Sequence, residues 1–249
     1  MKLTKLLSFM LCAVSIGCNS QTVTDYERDV YNTDKGKRVE ITFIKHGTLM
    51  IDVDGYIVHI DPVMMFGTDY AKMPKADLLL VTHEHGDHFD KKAVEAVSKD
   101  GTVFLSNGKV AEMSQKSKAV SPDETCSFKM KDGEIEVKAV AAYNNSKGHE
   151  NFHPKDRDVG YVLKVDNLSI YIAGDTEDIP ELAQLKDIDI AFLPVNQPYT
   201  MTAQQCIKAI EMFKPKTVYP YHYGETDLTP VVEHFKDSKD VKVIIKQLQ

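Results

Sequence analysis

The segment Thr82–His88, with the sequence THEHGDH, constrains this chain more than any other part of it. It places four groups that can bind a metal ion, three imidazoles and an aspartate, within six residues. Zinc and similar divalent ions bind neutral imidazole and carboxylate well. The apolar run Leu78–Val81 comes directly before the segment and predicts a buried strand that ends at a sheet edge. An exposed His-rich loop is the alternative, but the preceding strand favours a built metal site.

Further candidate ligands come directly after other predicted strands. They are Asp175, His222 and the pair His149 and His153, which lie in a long polar loop at residues 144–158. In α/β sheets, ligands gather in the crevice beyond the carboxyl ends of the strands. We therefore expect these side chains, although distant in sequence, to meet the cluster at His83–His88 in one place.

Apolar patterns predict a series of strands and helices after residue 37. The predicted strands are Val39–Phe43, Leu49–Val53, Tyr56–Ile60, Asp77–Val81, Glu134–Ala141, Gly160–Val165, Leu168–Ala173, Asp189–Pro194 and Thr217–Tyr221. Predicted helix starts are Asp90, the capping box Thr202 with Gln205, and an N-cap at Thr229 before Pro230. Hairpins first, and then strands that alternate with helices, indicate a layered α/β architecture.

The HxHxDH pattern of His83–His88, with Asp175 and His222 in matching order and context, resembles the metallo-β-lactamase superfamily. The resemblance runs from about Val39 to the end. Four segments resemble the stand-alone hydrolase branch of this superfamily: Ile60-Asp61-Pro62, Gly174-Asp175-Thr176, Phe192-Leu193-Pro194 and Tyr221-His222-Tyr223-Gly224. That branch includes ascorbate-phosphate lactonase-like proteins and is similar to N-acyl-phosphatidylethanolamine phospholipase D. The fold that this implies is an α/β (α+β) four-layer αββα sandwich.

The resemblance also implies two divalent metal ions, with Zn2+ expected first and Mn2+ or Fe2+ as alternatives. By this resemblance, the first ion takes His83 and His85 with a third imidazole, the second takes Asp87, His88 and His222, and Asp175 bridges both. Many relatives place the third imidazole directly after a strand, where this chain has Tyr143-Asn144. His153 is the preferred replacement, and His149 is the second choice.

Four residues are candidates for contact with a ligand or with the substrate: His46, Asp61, Tyr143 and His149. His46 follows the first predicted strand, so it can contact the substrate or simply form a turn. Asp61 can accept a hydrogen bond from a ligating imidazole, or it can form a turn before Pro62.

The implied activity is that of a metal-dependent hydrolase in which a hydroxide at the dinuclear site cleaves an ester, lactone or phosphodiester bond. Asp87 is the expected catalytic residue, because it can also orient the hydroxide. β-Lactamase activity is not expected, since those enzymes commonly have Cys where Asp175 stands. The alternative is a non-catalytic, metal-binding envelope lipoprotein that retains the fold. A His cluster that merely buffers zinc is a third possibility.

The N-terminus predicts export. Residues 1–18 combine a basic start with a short apolar segment, and Ser15–Cys18 resembles a bacterial lipobox. Residues 19–37 are expected to be a polar tether, and residues 38–249 the hydrolase domain. We therefore expect a cell-envelope lipoprotein, facing the periplasm or on the surface, that contacts the membrane by its lipid anchor only. Plain secretion is the alternative.

Composition disfavours a polyanion as a partner. The chain has 249 residues and a formal net charge of −7, so nucleic acid is not expected as a partner. A small-molecule or lipid-like substrate is expected instead, because it would suit a hydrolase anchored in the envelope. Outside the signal, Cys126 and Cys206 fit no metal-binding spacing. Cys206 is expected to be a buried free thiol, with a disulfide between the two cysteines left open. The sequence leaves the oligomeric state open.

Overall fold

The computed structural model of this chain describes residues 25–248. The expected export signal at residues 1–18, with its lipobox at Ser15–Cys18, lies outside the described residues. Within residues 25–248, no helix combines the length and the apolar character that crossing a bilayer requires.

Fourteen strands and four α-helices make up the described part of the chain. The strands are β1 (Glu27–Asn32), β2 (Arg38–Lys45), β3 (Thr48–Val53), β4 (Tyr56–Ile60), β5 (Leu78–Val81), β6 (Val103–Ser106), β7 (Lys118–Ala119), β8 (Thr125–Lys129), β9 (Glu134–Ala142), β10 (Asp158–Val165), β11 (Leu168–Ile172), β12 (Ile190–Pro194), β13 (Thr217–Tyr221) and β14 (Lys242–Val243). The helices are α1 (Lys91–Val97), α2 (Gly108–Met113), α3 (Ala203–Phe213) and α4 (Thr229–Phe235). Two short 3-10 turns lie at Tyr70–Lys72 and Pro180–Gln184.

The strands form two seven-stranded sheets, with the orders β1-β2-β3-β4-β5-β6-β7 and β14-β13-β12-β11-β10-β9-β8. Each sheet has an antiparallel half and a parallel half. In the first sheet β4, β5, β6 and β7 pair in parallel, and in the second sheet β11, β12, β13 and β14 do. Parallel strands carry their carboxyl ends to one edge, which is where such sheets bind ligands.

The sheets pack face to face, with helices on both outer sides. Phe43 and Ile60 of the first sheet share one apolar core with Phe192 of the second. A second core joins the outer face of the first sheet to α1 and α2, and a third joins the second sheet to α3 and α4. The four-layer αββα sandwich is therefore confirmed. Each fully buried side chain of Leu, Ile or Phe size stabilises it by roughly 1.5–3 kcal/mol.

Two of the predicted helix starts are confirmed. The Asp90 carboxylate accepts from the backbone N–H groups of the first turn of α1. Thr202 and Gln205 form the capping box of α3. The predicted N-cap at Thr229 is wrong, because α4 already includes that residue and the Asp227 carboxylate accepts from its backbone N–H at 2.9 Å.

Cys206 lies on the buried face of α3 as a free thiol, as expected. Burial raises the pKa of this thiol to about 12, so the protonated form dominates at neutral pH. Cys126 is also a free cysteine, so the two form no disulfide in this structure.

The tether expected at residues 19–37 is wrong from Glu27 onward. Glu27–Asn32 forms the edge strand β1, which pairs antiparallel with β2. The Lys37 ammonium lies 2.9 Å from the carboxylate of Asp166, in the turn between β10 and β11 of the second sheet. An edge strand has one neighbour and can expose most of its side chains, so its polar sequence shows no apolar period. The folded domain thus begins before residue 38.

Candidate metal centre

The predicted ligands meet at the edge where both sheets end. The first sheet supplies His83, His85, Asp87 and His88 after β5, and the second supplies His153 from the loop between β9 and β10, Asp175 after β11 and His222 after β13. The convergence expected from the sequence is therefore present in the fold. Whether each side chain binds a metal is a separate question, which the local geometry addresses.

Three imidazoles form a first group. His83 Nε2 lies 3.1 Å from His85 Nδ1, and His153 Nε2 lies 3.2 Å from the same atom. Nitrogens that bind one tetrahedral zinc ion at about 2.0–2.1 Å are about 3.3 Å apart. The spacing of this group therefore suits a single cation held by His83, His85 and His153.

A second group consists of Asp87, His88 and His222. Asp87 Oδ2 lies 3.5 Å from His222 Nε2 and 3.9 Å from His88 Nε2. These three side chains form a candidate site together with His46, all within 4.8 Å of one another by one ligand atom each. The second group is thus also compact enough for a single cation.

The Asp175 carboxylate lies between the two groups. Its Oδ2 is 3.3 Å from His153 Nε2 and 3.2 Å from His222 Nε2, while its Oδ1 is 3.3 Å from His88 Nε2. The side chain is only 3% exposed. One buried carboxylate thus faces imidazoles of both groups, as a ligand shared by two cations would.

The cluster contains polar atoms that the protein itself does not satisfy. His88 Nε2, His222 Nε2 and Asp175 Oδ1 are buried without a hydrogen-bond partner. Buried polar groups are nearly always paired, so unpaired atoms that face one another call for an explanation. A cation held among them would supply it, and the residues therefore fit the implied metal.

Oxygen atoms behind the cluster set the orientation of three imidazoles. The pairs are His88 Nδ1 with Asp61 Oδ2 at 2.8 Å, His153 Nδ1 with Asn144 Oδ1 at 2.7 Å, and His83 Nδ1 with Thr82 Oγ1 at 3.0 Å. When Nδ1–H donates to such an oxygen, the lone pair of Nε2 points into the cluster. The hydrogen bond expected at Asp61 is therefore present.

Burial keeps two of the imidazoles neutral. It lowers the pKa of His153 to about 4, and it holds the pKa of His83 well below the ordinary value. Neutral imidazole is the form that binds metals. Both rings are therefore ready to act as ligands at neutral pH.

His222 differs from these rings. Burial opposes its charged form, but Asp175 and Asp87 outweigh that effect and raise the pKa of His222 to about 10. A cation that binds His222 must therefore displace a proton at neutral pH.

His46 contacts the second group. Its Nε2 lies 3.1 Å from Asp87 Oδ2, and its ring centroid lies 3.7 Å from that of His222. The residue also has a φ of 55°, in the turn between β2 and β3. The structure thus places His46 in a turn and against the cluster at the same time.

Two of the candidates, His149 and Tyr143, have side chains that pair with glutamates and not with a candidate ligand. His149 lies outside all the candidate metal groups of the described residues, and its Nδ1 is 3.5 Å from Glu177 Oε1. The Tyr143 hydroxyl donates to Glu181 at 2.9 Å, and its ring packs in the core beneath the helices of the second sheet. Tyr143 therefore supports the cluster only through its backbone, which contacts Thr176.

Gly47 was not among the sequence candidates, yet it packs against a candidate ligand. A Cβ atom at Gly47 would lie 2.7 Å from His88 Cε1. Real Cβ atoms do not approach a neighbour so closely, so the His88 ring would have to move. Gly174, next to Asp175, has a φ of 65°, and a Cβ atom there would lie 3.0 Å from Thr82 Cβ. Glycine at both positions allows the backbone to lie directly against the cluster.

Residues 40–222 match the family model described as "Beta-lactamase superfamily domain". This match spans most of the domain and includes every residue of the two groups. A UPF0173 metal-dependent hydrolase from Thermococcus kodakarensis is 33% identical over 198 residues, which cover 75% of this chain and 85% of that protein.

Solved structures show the same fold. A protein from Parabacteroides distasonis, named a metal-dependent hydrolase, superimposes with a TM-score of 0.85 and 48% identity, covering 90% of this chain and 100% of the other. Igni18, a metallo hydrolase from Ignicoccus hospitalis, gives a TM-score of 0.68 at 24% identity, covering 84% of this chain and 95% of that one. The second likeness concerns the fold alone.

Proposed function

This chain belongs to the beta-lactamase superfamily and is a metal-dependent hydrolase, and from that premise we propose that it uses two divalent ions to hydrolyse an ester, lactone or phosphodiester bond. The position of Asp175 carries this proposal, because its carboxylate lies within 3.2–3.3 Å of imidazoles from both groups. One carboxylate so placed can be shared by two cations.

Each group would hold one ion. The first group, His83, His85 and His153, offers only imidazole, and the second, Asp87, His88 and His222, adds a carboxylate. We propose Zn2+ for both, since imidazole-rich tetrahedral sites suit it, with Mn2+ or Fe2+ as alternatives. When bound, divalent ions activate a water molecule and polarise the substrate oxygen.

Asp87 is the proposed catalytic residue. Its side chain is 33% exposed, whereas those of Asp175 and Asp61 are 3% and 0% exposed. Although burial opposes it, contacts with His222 and His46 hold the pKa of Asp87 well below its usual range. It is therefore a carboxylate at neutral pH, and it can accept a hydrogen bond from the attacking water and so orient it.

Aromatic side chains lie near the cluster, since Phe66 packs against His46 and Phe152 directly precedes His153. The Phe66 ring centroid is 5.1 Å from that of His46, and the Phe152 centroid is 5.1 Å from that of Tyr199. Met65 and Tyr199 are 64% and 47% exposed. Exposed apolar side chains beside a reactive centre are typical of ligand-binding surfaces. They favour a substrate with an apolar or lipid-like part.

The basic residues near His153 are largely occupied. Lys155 lies 3.4 Å from the Glu181 carboxylate, and Arg157 lies 2.8 Å from that of Asp158. An anionic substrate would therefore have to compete with these carboxylates for either side chain. We therefore favour an ester with an apolar acyl group over a phosphodiester. We further propose that the protein acts in the bacterial cell envelope through an N-terminal lipid anchor.

Metal content and turnover test this function. We expect the purified protein to bind two ions per chain and to hydrolyse 4-nitrophenyl esters, with a lactone and bis(4-nitrophenyl) phosphate as the comparison substrates. A chelator should abolish turnover, and added Zn2+ should restore it. Stoichiometric metal without turnover of any of these substrates would support the non-catalytic lipoprotein instead.

Replacing Tyr199 with Ala tests the substrate preference. We expect kcat/KM for 4-nitrophenyl octanoate to fall by about 3-fold to 10-fold, because burial of each methylene is worth about 0.8 kcal/mol. Turnover of 4-nitrophenyl acetate should stay within about 2-fold of wild type. Met113, which is 47% exposed on the end of α2, provides the matched control Met113→Ala. Equal losses for both esters would contradict an acyl-binding role for Tyr199.

A further inference from the structure

We propose that Arg157 is a positioning residue that fixes the two parts of the first metal group relative to each other. The first group takes His83 and His85 from one sheet and His153 from a loop of the other. The inference rests on the metal roles proposed above. A single cation requires these three ligands, which come from separate segments, to be kept at a fixed spacing.

The Arg157 guanidinium contacts both ligand-bearing segments. Its Nη1 lies 3.3 Å from Oε1 of Glu84, the residue between His83 and His85. Its Nη2 donates at 3.0 Å to the backbone carbonyl of Phe152, which directly precedes His153. One rigid, planar cation thus joins the backbone segments that carry all three imidazoles.

The guanidinium is itself held in place. Asp158, a buried residue at the start of β10, accepts from Arg157 Nε and Nη2, both at 2.8 Å. Asn107 Nδ2 reaches Asp158 Oδ1 at 3.0 Å and Glu84 Oε2 at 3.1 Å. The side-chain oxygen Oδ1 of Asn107 accepts from the backbone N–H of Val110 and so caps α2. The paired hydrogen bonds from Arg157 to Asp158 fix the direction of the guanidinium as well as its distance.

His85 is the ligand that depends most on this arrangement. His83, His88 and His153 each have an oxygen atom that orients the ring through Nδ1. His85 instead presents Nδ1 to the cluster, 3.1 Å from His83 Nε2 and 3.2 Å from His153 Nε2, and among residues 25–248 no oxygen atom forms a hydrogen bond with its ring. The position of His85 therefore follows from its backbone, and Glu84 ties that backbone to Arg157.

Lysine cannot replace Arg157 in this role. A lysine ammonium is a point charge on a flexible stem, whereas guanidinium has five donors in a fixed plane. Arg157 uses these donors on Glu84, Asp158 and Phe152 at once. If Arg157 only made a partly exposed ion pair, its loss would change stability slightly and affect both metal groups equally.

Double variants isolate each metal group. The His222→Ala background leaves the first group intact, and the His153→Ala background leaves the second group intact. Each double variant adds a change at Arg157 to one of these backgrounds. Zn2+ affinity, measured by competition with a chromophoric chelator, then reports one group at a time. We expect Arg157→Met to weaken Zn2+ binding by about 10-fold to 100-fold in the His222→Ala background, which is the range for losing outer partners that orient metal ligands. In the His153→Ala background it should change affinity by less than about 2-fold.

Lys155→Met is the matched control, because Lys155 lies in the same loop and pairs with Glu181 instead of with a ligand-bearing segment. It should leave both affinities unchanged. Arg157→Lys should behave like Arg157→Met and provides a second test if the methionine variant folds poorly. Equal weakening in both backgrounds, or no weakening in either, overturns the positioning role. If the wild-type protein bound only one ion, that result would count against the proposed function. It would not count against the positioning role, because the comparison within the His222→Ala background needs only the first metal group.

Discussion

The variant Asp175→Asn is expected to bind at most one ion per chain and to lose at least about 10³-fold in kcat/KM, which corresponds to about 4 kcal/mol of transition-state stabilisation. Asp175 is the buried carboxylate that faces imidazoles of both groups at 3.2–3.3 Å. An amide of the same size lacks the negative charge that two nearby cations require. Metal analysis and ester hydrolysis on the same preparation measure both effects.

A neighbouring buried acid gives the control for this prediction. Asp178 also lies in the segment after β11, but its carboxylate pairs with Lys208 and Gln205, away from the metal groups. Asp178→Asn should lower the midpoint of thermal unfolding slightly while it keeps both ions and at least half of the activity. If Asp175→Asn retained two ions, or stayed within about 10-fold of wild-type turnover, the carboxylate would not be the shared ligand.

The second large effect is expected at His153. His153→Ala should lower the affinity of the first ion by about 100-fold or more, because only His83 and His85 then remain as imidazole ligands of that group. His149→Ala should change it by less than about 2-fold, since the His149 ring lies against Glu177 and outside the cluster. Zn2+ competition titration of the two variants compares them directly. Equal or reversed effects would contradict the placement of His153 in the first group.

The sequence predicts the core of this site well because the signal is local. The spacing of His83–His88 is fixed by a single turn after β5, and Asp175 and His222 each follow a strand whose apolar character is plain. The carboxyl ends of these strands then determine where the side chains meet. Little long-range information is needed to predict this part.

The choice between His153 and His149 needs contacts that no sequence pattern reveals. Both lie in one polar loop without a period. The fold decides between them because Glu177 accepts from two backbone N–H groups, those of Asn145 at 2.7 Å and Ser146 at 2.6 Å, and so fixes the start of the loop. Asn144 then holds the His153 ring towards the cluster.

Short and peripheral strands also escaped the sequence analysis. β1 is a mostly exposed edge strand, and β6 has only four residues. Neither shows the alternation that predicts a strand, because their place in the sheet depends on neighbours supplied by the rest of the fold. The contact of Arg157 with Glu84 was missed for a similar reason, since the two residues are remote from each other in sequence.

Neither sheet alone carries all the ligands of the cluster. Because the ligands are divided between the two sheets, metal binding affects the stability of the protein and its resistance to proteolysis. A cation that binds only the folded arrangement adds RT ln(1 + [L]/Kd) to the free energy of unfolding, about 2.7 kcal/mol at one hundred times Kd. With less metal, the edge that holds His83 and Asp175 would open more often, while the apolar layers beyond it stay closed. Proteases cut such transiently opened segments, so metal supply is expected to govern the abundance of this protein as well as its rate.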